Sequence, residues 1–251
     1  MVLLISIDGL RPDALLAANA PTLQRLAKAG RTCLTAQTQM PSVTLPCHTS
    51  MVRGVPVERH GITSNTFTPL ARPVPSILDV ASQHGRRCGA FFNWGPLRDL
   101  FEPESVVVSH FVRDAHRIEG DTRVADSFVR SVAEEPLDFA FVYFGHVDEC
   151  GHQHGWMSDQ YLLAVAHADA CVERVLSVVG SGQWIIQSDH GGHDRSHGTT
   201  MPEDMTIPWI LAGDGIEAKS LEGVTILDTA PSLAHLLGVP APPVWEGQSH
   251  S

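Results

Sequence analysis

Three carboxylates stand where short apolar runs of this chain stop. Val2–Ile7 ends in Asp8, the run 138–144 stops shortly before Asp148, and the run 184–188 ends in Asp189, with His190 directly after it. His152 follows Asp148 by four residues and His197 follows His190 by seven, both in glycine-rich stretches read as loops free to wrap an ion. Carboxylate oxygens are hard ligands and imidazole nitrogens borderline ones. With no thiolate among them, the set suits catalytic Zn²⁺, with Mn²⁺ or Fe²⁺ as alternatives. Two ions with three ligands each would keep positions open for a substrate. Without a cation, such a cluster suffers mutual repulsion and desolvation. Asp148 and His152 alone are a weak signal, because a loop aspartate commonly caps a helix and a loop histidine is commonly solvated. Asp189-His190-Gly191-Gly192 behind a strand is more specific, and the joint pattern is what points to metal. A hydroxyl joins the set in Met40-Pro41-Ser42-Val43-Thr44-Leu45-Pro46-Cys47-His48, between a strand expected over 32–38 and a helical segment expected over 47–52. At a helix N-terminus, Thr44 would face backbone N–H groups and the positive end of the helix dipole, a setting for an alkoxide or a bound phosphate. The same position suits a plain N-cap hydroxyl.

These residues lie far apart in sequence and need a scaffold to meet. Val2–Ile7 is a short, β-branched-rich apolar run, as in a strand buried on both faces of a parallel sheet. Further strands are expected over 87–92, 138–144, 184–188 and 207–212. Helices are expected over 21–29, 76–84, 122–133, 160–179 and 229–237. In the first of these, Pro21 opens the helix and Gly30 stops it. Strands that alternate with helices imply an α/β fold, a mostly parallel central sheet with helices on both faces. In such sheets ligands bind beyond the carboxyl ends of the strands, where Asp8, Asp148 and Asp189 would converge. The proline-rich stretch 54–104, with the aromatics Phe91, Phe92, Trp94 and Phe101, reads as a small irregular cap. With no clear linker, residues 1–251 are read as a single domain.

Composition narrows the partners. Lys+Arg 17 against Asp+Glu 28, a net charge of −11, repels a nucleic-acid polymer over most of the surface. No apolar run approaches the roughly 18 residues of a membrane span, so no membrane partner is expected. Met1 to Asp8 shows no basic segment of an export signal. Five cysteines, an odd number without a C-x-x-C pair, argue against a disulfide framework or a thiolate zinc site, and the expected compartment is the cytoplasm.

Together these motifs make the chain resemble the alkaline phosphatase superfamily, most closely its nucleotide pyrophosphatase/phosphodiesterase-like branch. The resemblance rests on Ile5-Ser6-Ile7-Asp8-Gly9-Leu10-Arg11-Pro12-Asp13, Thr44-Leu45-Pro46-Cys47-His48, Glu58-Arg59-His60-Gly61-Ile62 and Val147-Asp148-Glu149-Cys150-Gly151-His152. It continues through Ser188-Asp189-His190-Gly191, Ser196-His197-Gly198-Thr199 and Asp228-Thr229-Ala230-Pro231-Ser232, in the order and spacing of that family. It implies that Asp148, His152 and His197 hold one zinc, that Asp8, Asp189 and His190 hold the other, and that Thr44 between them is a nucleophile that becomes phosphorylated. One position departs: the branch commonly carries an asparagine three residues after the nucleophile, where this chain has Cys47. A thiol is a weak donor, so Cys47 as a substrate-binding residue would stabilise a phosphoryl oxygen poorly. The sulfatase branch fits less well, since His48 stands where its signature carries arginine. Asn93 and Trp94 are candidates for contact with a nucleobase or aryl group, although an aromatic run at a strand end commonly packs in the core. Arg53, Arg59, Arg98 and Arg195 are candidate phosphate partners that suit solvated positions equally well. His146, His154 and His193 would stand behind or beside the ligands.

The function implied is hydrolysis of a phosphodiester or pyrophosphate bond in a small phosphate ester, a nucleotide among the candidates. A phosphomonoesterase or phosphonate hydrolase on the same scaffold is one alternative, and a catalytically silent metal- or nucleotide-binding protein is another. The number of subunits leaves no mark on the sequence.

Overall fold

The computed structural model describes residues 1–66, 68–69 and 73–251. Among the described residues eight strands form one sheet: β1 (Val2–Ile7), β2 (Arg31–Gln37), β3 (Cys88–Phe92), β4 (Val108–Phe111), β5 (Phe139–Phe144), β6 (Gln183–Gln187), β7 (Thr206–Gly213) and β8 (Lys219–Ser220). Their order is β4-β3-β5-β1-β6-β7-β2-β8. Pairing is parallel from β4 through to β6. β7 then runs antiparallel to both β6 and β2, and β8 pairs parallel with β2. The helices are α1 (Pro12–Ala17), α2 (Pro21–Ala29), α3 (Thr44–Arg53), α4 (Val57–His60), α5 (Ile77–Gln83), α6 (Ile118–Glu134), α7 (His146–His154), α8 (Asp159–Leu176), α9 (Pro202–Met205) and α10 (Thr229–Leu237).

The alternation of side chains along the central strands builds two cores. In β1, Val2 and Leu4 point into one layer, while Leu3, Ile5 and Ile7 point into the other. In β5, Phe139, Phe141 and Tyr143 share the first layer, and Ala140, Val142 and Phe144 the second. The first layer is closed by α3, α5 and α10 through Met51, Leu78 and Leu233. The second is closed by α2, α6 and α8 through Leu23, Phe128 and Val172. A strand covered on both faces is apolar at nearly every position, which is why these runs read as continuous rather than alternating; Ser6, buried in β1, is bonded to His48 Nε2 (2.9 Å).

Local signals set most boundaries. Gly30 ends α2 where a Cβ would lie 2.3 Å from the Leu211 carbonyl oxygen, so only glycine lets the helix end approach β7. Ser76 and Asp79 form a capping box at the start of α5, with the Ser76 N–H donating to Asp79 Oδ2 (2.7 Å). Among the elements with no counterpart in the sequence reading are β4 and α7. β4 is a four-residue edge strand whose side chains are mostly exposed, so it carries no apolar run. α7 covers Asp148 and His152, which the glycine content placed in a loop. It is helical because packing overrides propensity. The Gly145 and His146 N–H groups at its start donate to buried Asp121 Oδ1 (3.1 and 3.3 Å), and Gly151 lies flat against Trp156, where a Cβ would meet the indole at 2.7 Å. Within 54–104, α5 and β3 are ordinary members of the layer and the sheet. No helix among the described residues is long and apolar enough to cross a membrane, and all five cysteines are free and buried.

His60 ties α4 to the first-layer helix α3. Its Nδ1 accepts from the Ile62 N–H (3.0 Å) and its Nε2 meets Ser50 Oγ on α3 (2.9 Å), an arrangement that requires the neutral ring. Burial, reinforced by the nearby Arg53 charge, lowers its pKa to about 4. The unfolded chain takes up this proton near pH 6.5, so the contribution is complete above that pH and is lost as pH falls toward 4. Urea unfolding at pH 7 and pH 5 should show wild type losing about 2 kcal/mol more than His60→Gln over that interval. Equal losses in the two proteins would contradict this role.

Candidate active site

β5, β1 and β6 are neighbours, and all three run in the same direction. Their C-terminal ends therefore deliver Asp8, the α7 pair Asp148 and His152, and Asp189-His190 to one edge of the sheet. Asp8, Asp189 and His190 form a buried cluster, and Asp148, His190 and His197 form a second, each with its ligand atoms within 4.8 Å of one another. His190 Nε2 belongs to both. It lies 3.3 Å from Asp8 Oδ1 and 3.3 Å from Asp189 Oδ2, and its ring stacks on that of His197 at 3.8 Å. His152 stands on the Asp148 side, with Nε2 3.4 Å from Asp148 Oδ2, one helical turn along α7.

Three buried carboxylate oxygens show that this arrangement suits a cation. Asp8 Oδ1, Asp148 Oδ1 and Asp189 Oδ2 are shielded from solvent and have no hydrogen-bond partner. Their companion oxygens are better served: the Tyr143 hydroxyl donates to Asp8 Oδ2, and the Gly9 N–H donates to Asp189 Oδ1 (3.2 Å). The imidazoles are oriented in a matching way. His152 Nδ1 meets the Arg195 carbonyl (3.0 Å), His190 Nδ1 the Gly191 carbonyl (2.8 Å) and His197 Nδ1 the Ser42 carbonyl (2.8 Å). A carbonyl only accepts, so each Nδ1 carries hydrogen, and each Nε2 is turned toward the carboxylates, where in the neutral ring its lone pair would be available to a cation. The crowding of these groups shows in their proton affinities. Burial, then repulsion from Asp189 and Asp148, holds the Asp8 carboxyl well above the ordinary range. Burial, then the neighbouring His190, pushes His197 down to about 4, whereas its hydrogen bond to Asp148 lifts His152 to about 9.

Thr44 is the first residue of α3, with Val43 as N-cap, so its hydroxyl makes no capping bond and is free for other use. Its Oγ1 lies 3.3 Å from His190 Nε2. The cavity above it, about 150 Å³, is lined by Asp8, Asp148, His152 and His197 with Asn65, Trp94, Ala115, Tyr143, Gly145 and Glu149. His48 supports the floor: Nδ1 lies 2.8 Å from the Thr44 carbonyl and 3.3 Å from Asp189 Oδ2, and Nε2 lies 2.9 Å from Ser6 Oγ.

Residues 2–205 match the sequence model of the type I phosphodiesterase / nucleotide pyrophosphatase family. The chain belongs to that family. Ectonucleotide pyrophosphatase/phosphodiesterase family member 7 of Homo sapiens is 26% identical over 254 residues, covering 90% of this chain and 52% of that protein, so the chain spans about half the length of this relative. Among solved structures, murine ectonucleotide pyrophosphatase/phosphodiesterase 5, an inactive threonine-to-alanine variant in complex with AMP, superposes with a TM-score of 0.82 at 16% identity over 98% of this chain and 97% of that one. A phosphonate monoester hydrolase from Silicibacter pomeroyi superposes with a TM-score of 0.74 at 17% identity, over 99% of this chain and 75% of that one. The fold is thus an α/β sheet of the alkaline phosphatase kind, in the type I phosphodiesterase branch of that superfamily.

All six sequence-named ligands and Thr44 meet at one place. The substrate-contact candidates divide. Trp94 borders the cavity. Asn93 lies behind it, with Nδ2 donating to Asp121 Oδ1 (2.7 Å) and Oδ1 accepting from the Gly145 N–H (3.1 Å), so it braces the start of α7. Cys47 is fully buried, and its thiol donates to the Gln39 and Pro41 carbonyls (3.5 Å each), turned into the core away from the cavity lining. Burial pushes its pKa up to about 12, which leaves it an inert packed thiol. Arg53 is buried as well, donating to the Val74 and Leu100 carbonyls. His193 pairs with Asp204 (2.7 Å), and His146 Nδ1 meets the Ala115 carbonyl (3.3 Å), so neither takes a ligand position. Asn65 escaped the sequence reading because no periodicity or motif marks its stretch. Its Oδ1 accepts from the Leu45 N–H (2.9 Å), which holds the amide at the mouth beside Thr44.

Cation binding should relieve the three orphaned oxygens. Zn²⁺ added to chelator-stripped protein is expected to raise Tm by several degrees, and Asp189→Ala to lose most of that rise. A Tm indifferent to cations would contradict the reading of this cluster.

Proposed function

We propose that this chain is a metal-dependent phosphohydrolase that cleaves a phosphodiester or pyrophosphate bond through a phospho-threonine at Thr44. The observation that carries the reading is the Thr44 hydroxyl, free of capping duty at the first turn of α3, 3.3 Å from His190 Nε2 and facing the buried carboxylates across a small cavity. Membership in a family whose members are hydrolases of such bonds supports it. So does the fold neighbour that is inactive with alanine for threonine and is seen with AMP.

Asp148, His152 and His197 would hold one zinc ion, and Asp8, Asp189 and His190 the other. When bound, such a pair supplies Lewis acidity that lowers the pKa of an adjacent hydroxyl and offsets charge on the phosphoryl oxygens. The residues of the chain do the remaining work. The helix N-terminus and the His48 contact to the Thr44 carbonyl fix the direction of Oγ1. Attack of Oγ1 on phosphorus forms the Thr44 phosphoester and expels the alcohol or phosphate on the opposite side. Water then cleaves that ester, and the Thr44 hydroxyl is restored. Asn65, anchored by the Leu45 N–H, presents its amide as a donor to a phosphoryl oxygen and fills the role that Cys47 leaves empty.

The test is hydrolysis of bis(p-nitrophenyl) phosphate against p-nitrophenyl phosphate by zinc-loaded protein. The expected result is a diester preference that Thr44→Ala abolishes without loss of bound zinc, and unchanged kcat in that variant refutes the mechanism. A monoester or phosphonate preference moves the assignment to the alternative chemistry on this scaffold, and silence on every ester moves it to a binding protein. Asn65→Ala should lower kcat/KM for the diester by about 10²-fold, whereas Cys47→Ala should change it by less than about threefold. The reverse order would return the donor role to Cys47.

A further inference from the structure

One loop carries a ligand of each cation site. Residues 190–199 run from the end of β6 toward α9, with His190 at the start and His197 seven residues on. The start is fixed by the sheet: the Ser188 hydroxyl meets the His190 carbonyl (2.7 Å), and the Thr38 hydroxyl donates to the Asp189 carbonyl. His197 lies further out and depends on a chain of bonds. Its Nδ1 donates to the Ser42 carbonyl (2.8 Å), and Ser42 Oγ donates to the Thr199 carbonyl (2.9 Å). The Thr199 N–H and hydroxyl both donate to Asp204 Oδ2 (2.9 and 2.7 Å), while Asp204 Oδ1 accepts from His193 Nδ1 (2.7 Å). The Asp204 backbone carbonyl accepts from the Gly191 N–H (2.8 Å), so one residue of α9 bonds the loop at its start, middle and end. Asp204 is fully buried and is absent from the cavity lining, so it has no part in the proposed chemistry. Burial works against its charge, but the bonds from His193 and Thr199 outweigh it and hold the carboxyl below the ordinary carboxylate range.

Resting on the cation-binding reading above, we propose that Asp204 is a positioning residue: through Thr199 and Ser42 it holds His197, and with it the Asp148 site, in register with the turn that carries Thr44. The His190 end of the loop keeps its own anchors at Ser188 and Thr38, and the bond to the Asp204 carbonyl survives any side-chain substitution. The two cation sites are therefore supported unequally.

The experiment is calorimetric titration of chelator-stripped protein with Zn²⁺. Asp204→Ala should weaken one of two sites by about tenfold and leave the other within about threefold of wild type. Asp204→Asn should stay near wild type, because its oxygen still accepts from Thr199 and its NH₂ can donate to a neutral His193 ring. Ser42→Ala, which cuts the link and leaves Asp204 in place, should repeat the unequal loss, and it decides the matter where Asp204→Ala does not fold. Equal loss at both sites, as general loosening would give, or loss at neither overturns the proposal. Tryptic cleavage after Arg195, an exposed residue of the loop, reads the same bonds without any cation. It should be about tenfold faster in Asp204→Ala and near the wild-type rate in Asp204→Asn. Unchanged cleavage in Asp204→Ala overturns the proposal as well. A wild type that binds no zinc yet shows this cleavage pattern supports the positioning role and counts only against the cation reading.

Discussion

The architecture turns on three aspartates that repel one another in a buried place. Asp8, Asp148 and Asp189 are each less than a tenth exposed, and each keeps one oxygen with no hydrogen bond. Burying a single unpaired carboxylate is costly, and burying three together is worse, because each charge raises the cost of the next. A flexible scaffold would relax by moving them apart. This one cannot, since each is delivered by a separate strand of a sheet packed on both faces, and β1 is hydrogen-bonded between β5 and β6. Tyr143 and the Gly9 N–H satisfy only the companion oxygens of Asp8 and Asp189. The inward sides are reserved.

That rigidity explains which parts were legible in the sequence. The runs that became β1, β5 and β6 could be read because a strand covered on both faces admits almost no polar residue, and the chemistry-bearing residue begins where that constraint ends. Asp8, Asp189 and His190 were therefore visible as the punctuation of apolar runs. α7 was not, because its helical state depends on Asp121 holding its first N–H groups and on Trp156 packing against Gly151, two contacts made across the fold. β4 carried no signal because an edge strand with exposed side chains has no apolar pattern. Cys47 and Asn65 show the same limit at the site itself. Position relative to Thr44 made Cys47 the natural candidate, but the helical turn that brings Thr44 to the cavity carries Cys47 into the core, and Asn65 arrives instead from a stretch without periodicity.

The likeness at 16–17% identity to both a nucleotide pyrophosphatase/phosphodiesterase and a phosphonate monoester hydrolase follows from the same division of labour. The sheet and its two cores need only apolar residues of suitable volume at alternating positions, a demand many sequences meet. Fold similarity of this kind says little about which ester is cut, because that is decided by a few side chains at the mouth. Here they come from three separate connections: Asn65 after α4, Trp94 after β3, and Ala115 with His116 before α6. None is required by the sheet, so each is free to vary without cost to the scaffold.

Charge then constrains what the mouth can do. Phosphate sites often recruit arginine or lysine, but the described walls of this cavity offer neither, and Arg53, the nearest buried candidate by sequence, is committed to two backbone carbonyls in the core. On the proposed reading, compensation for a phosphoryl group would come from cations held by the aspartates and from the N-terminus of α3. The aspartates, costly to bury together, would in this way be the source of the positive charge that such a substrate needs.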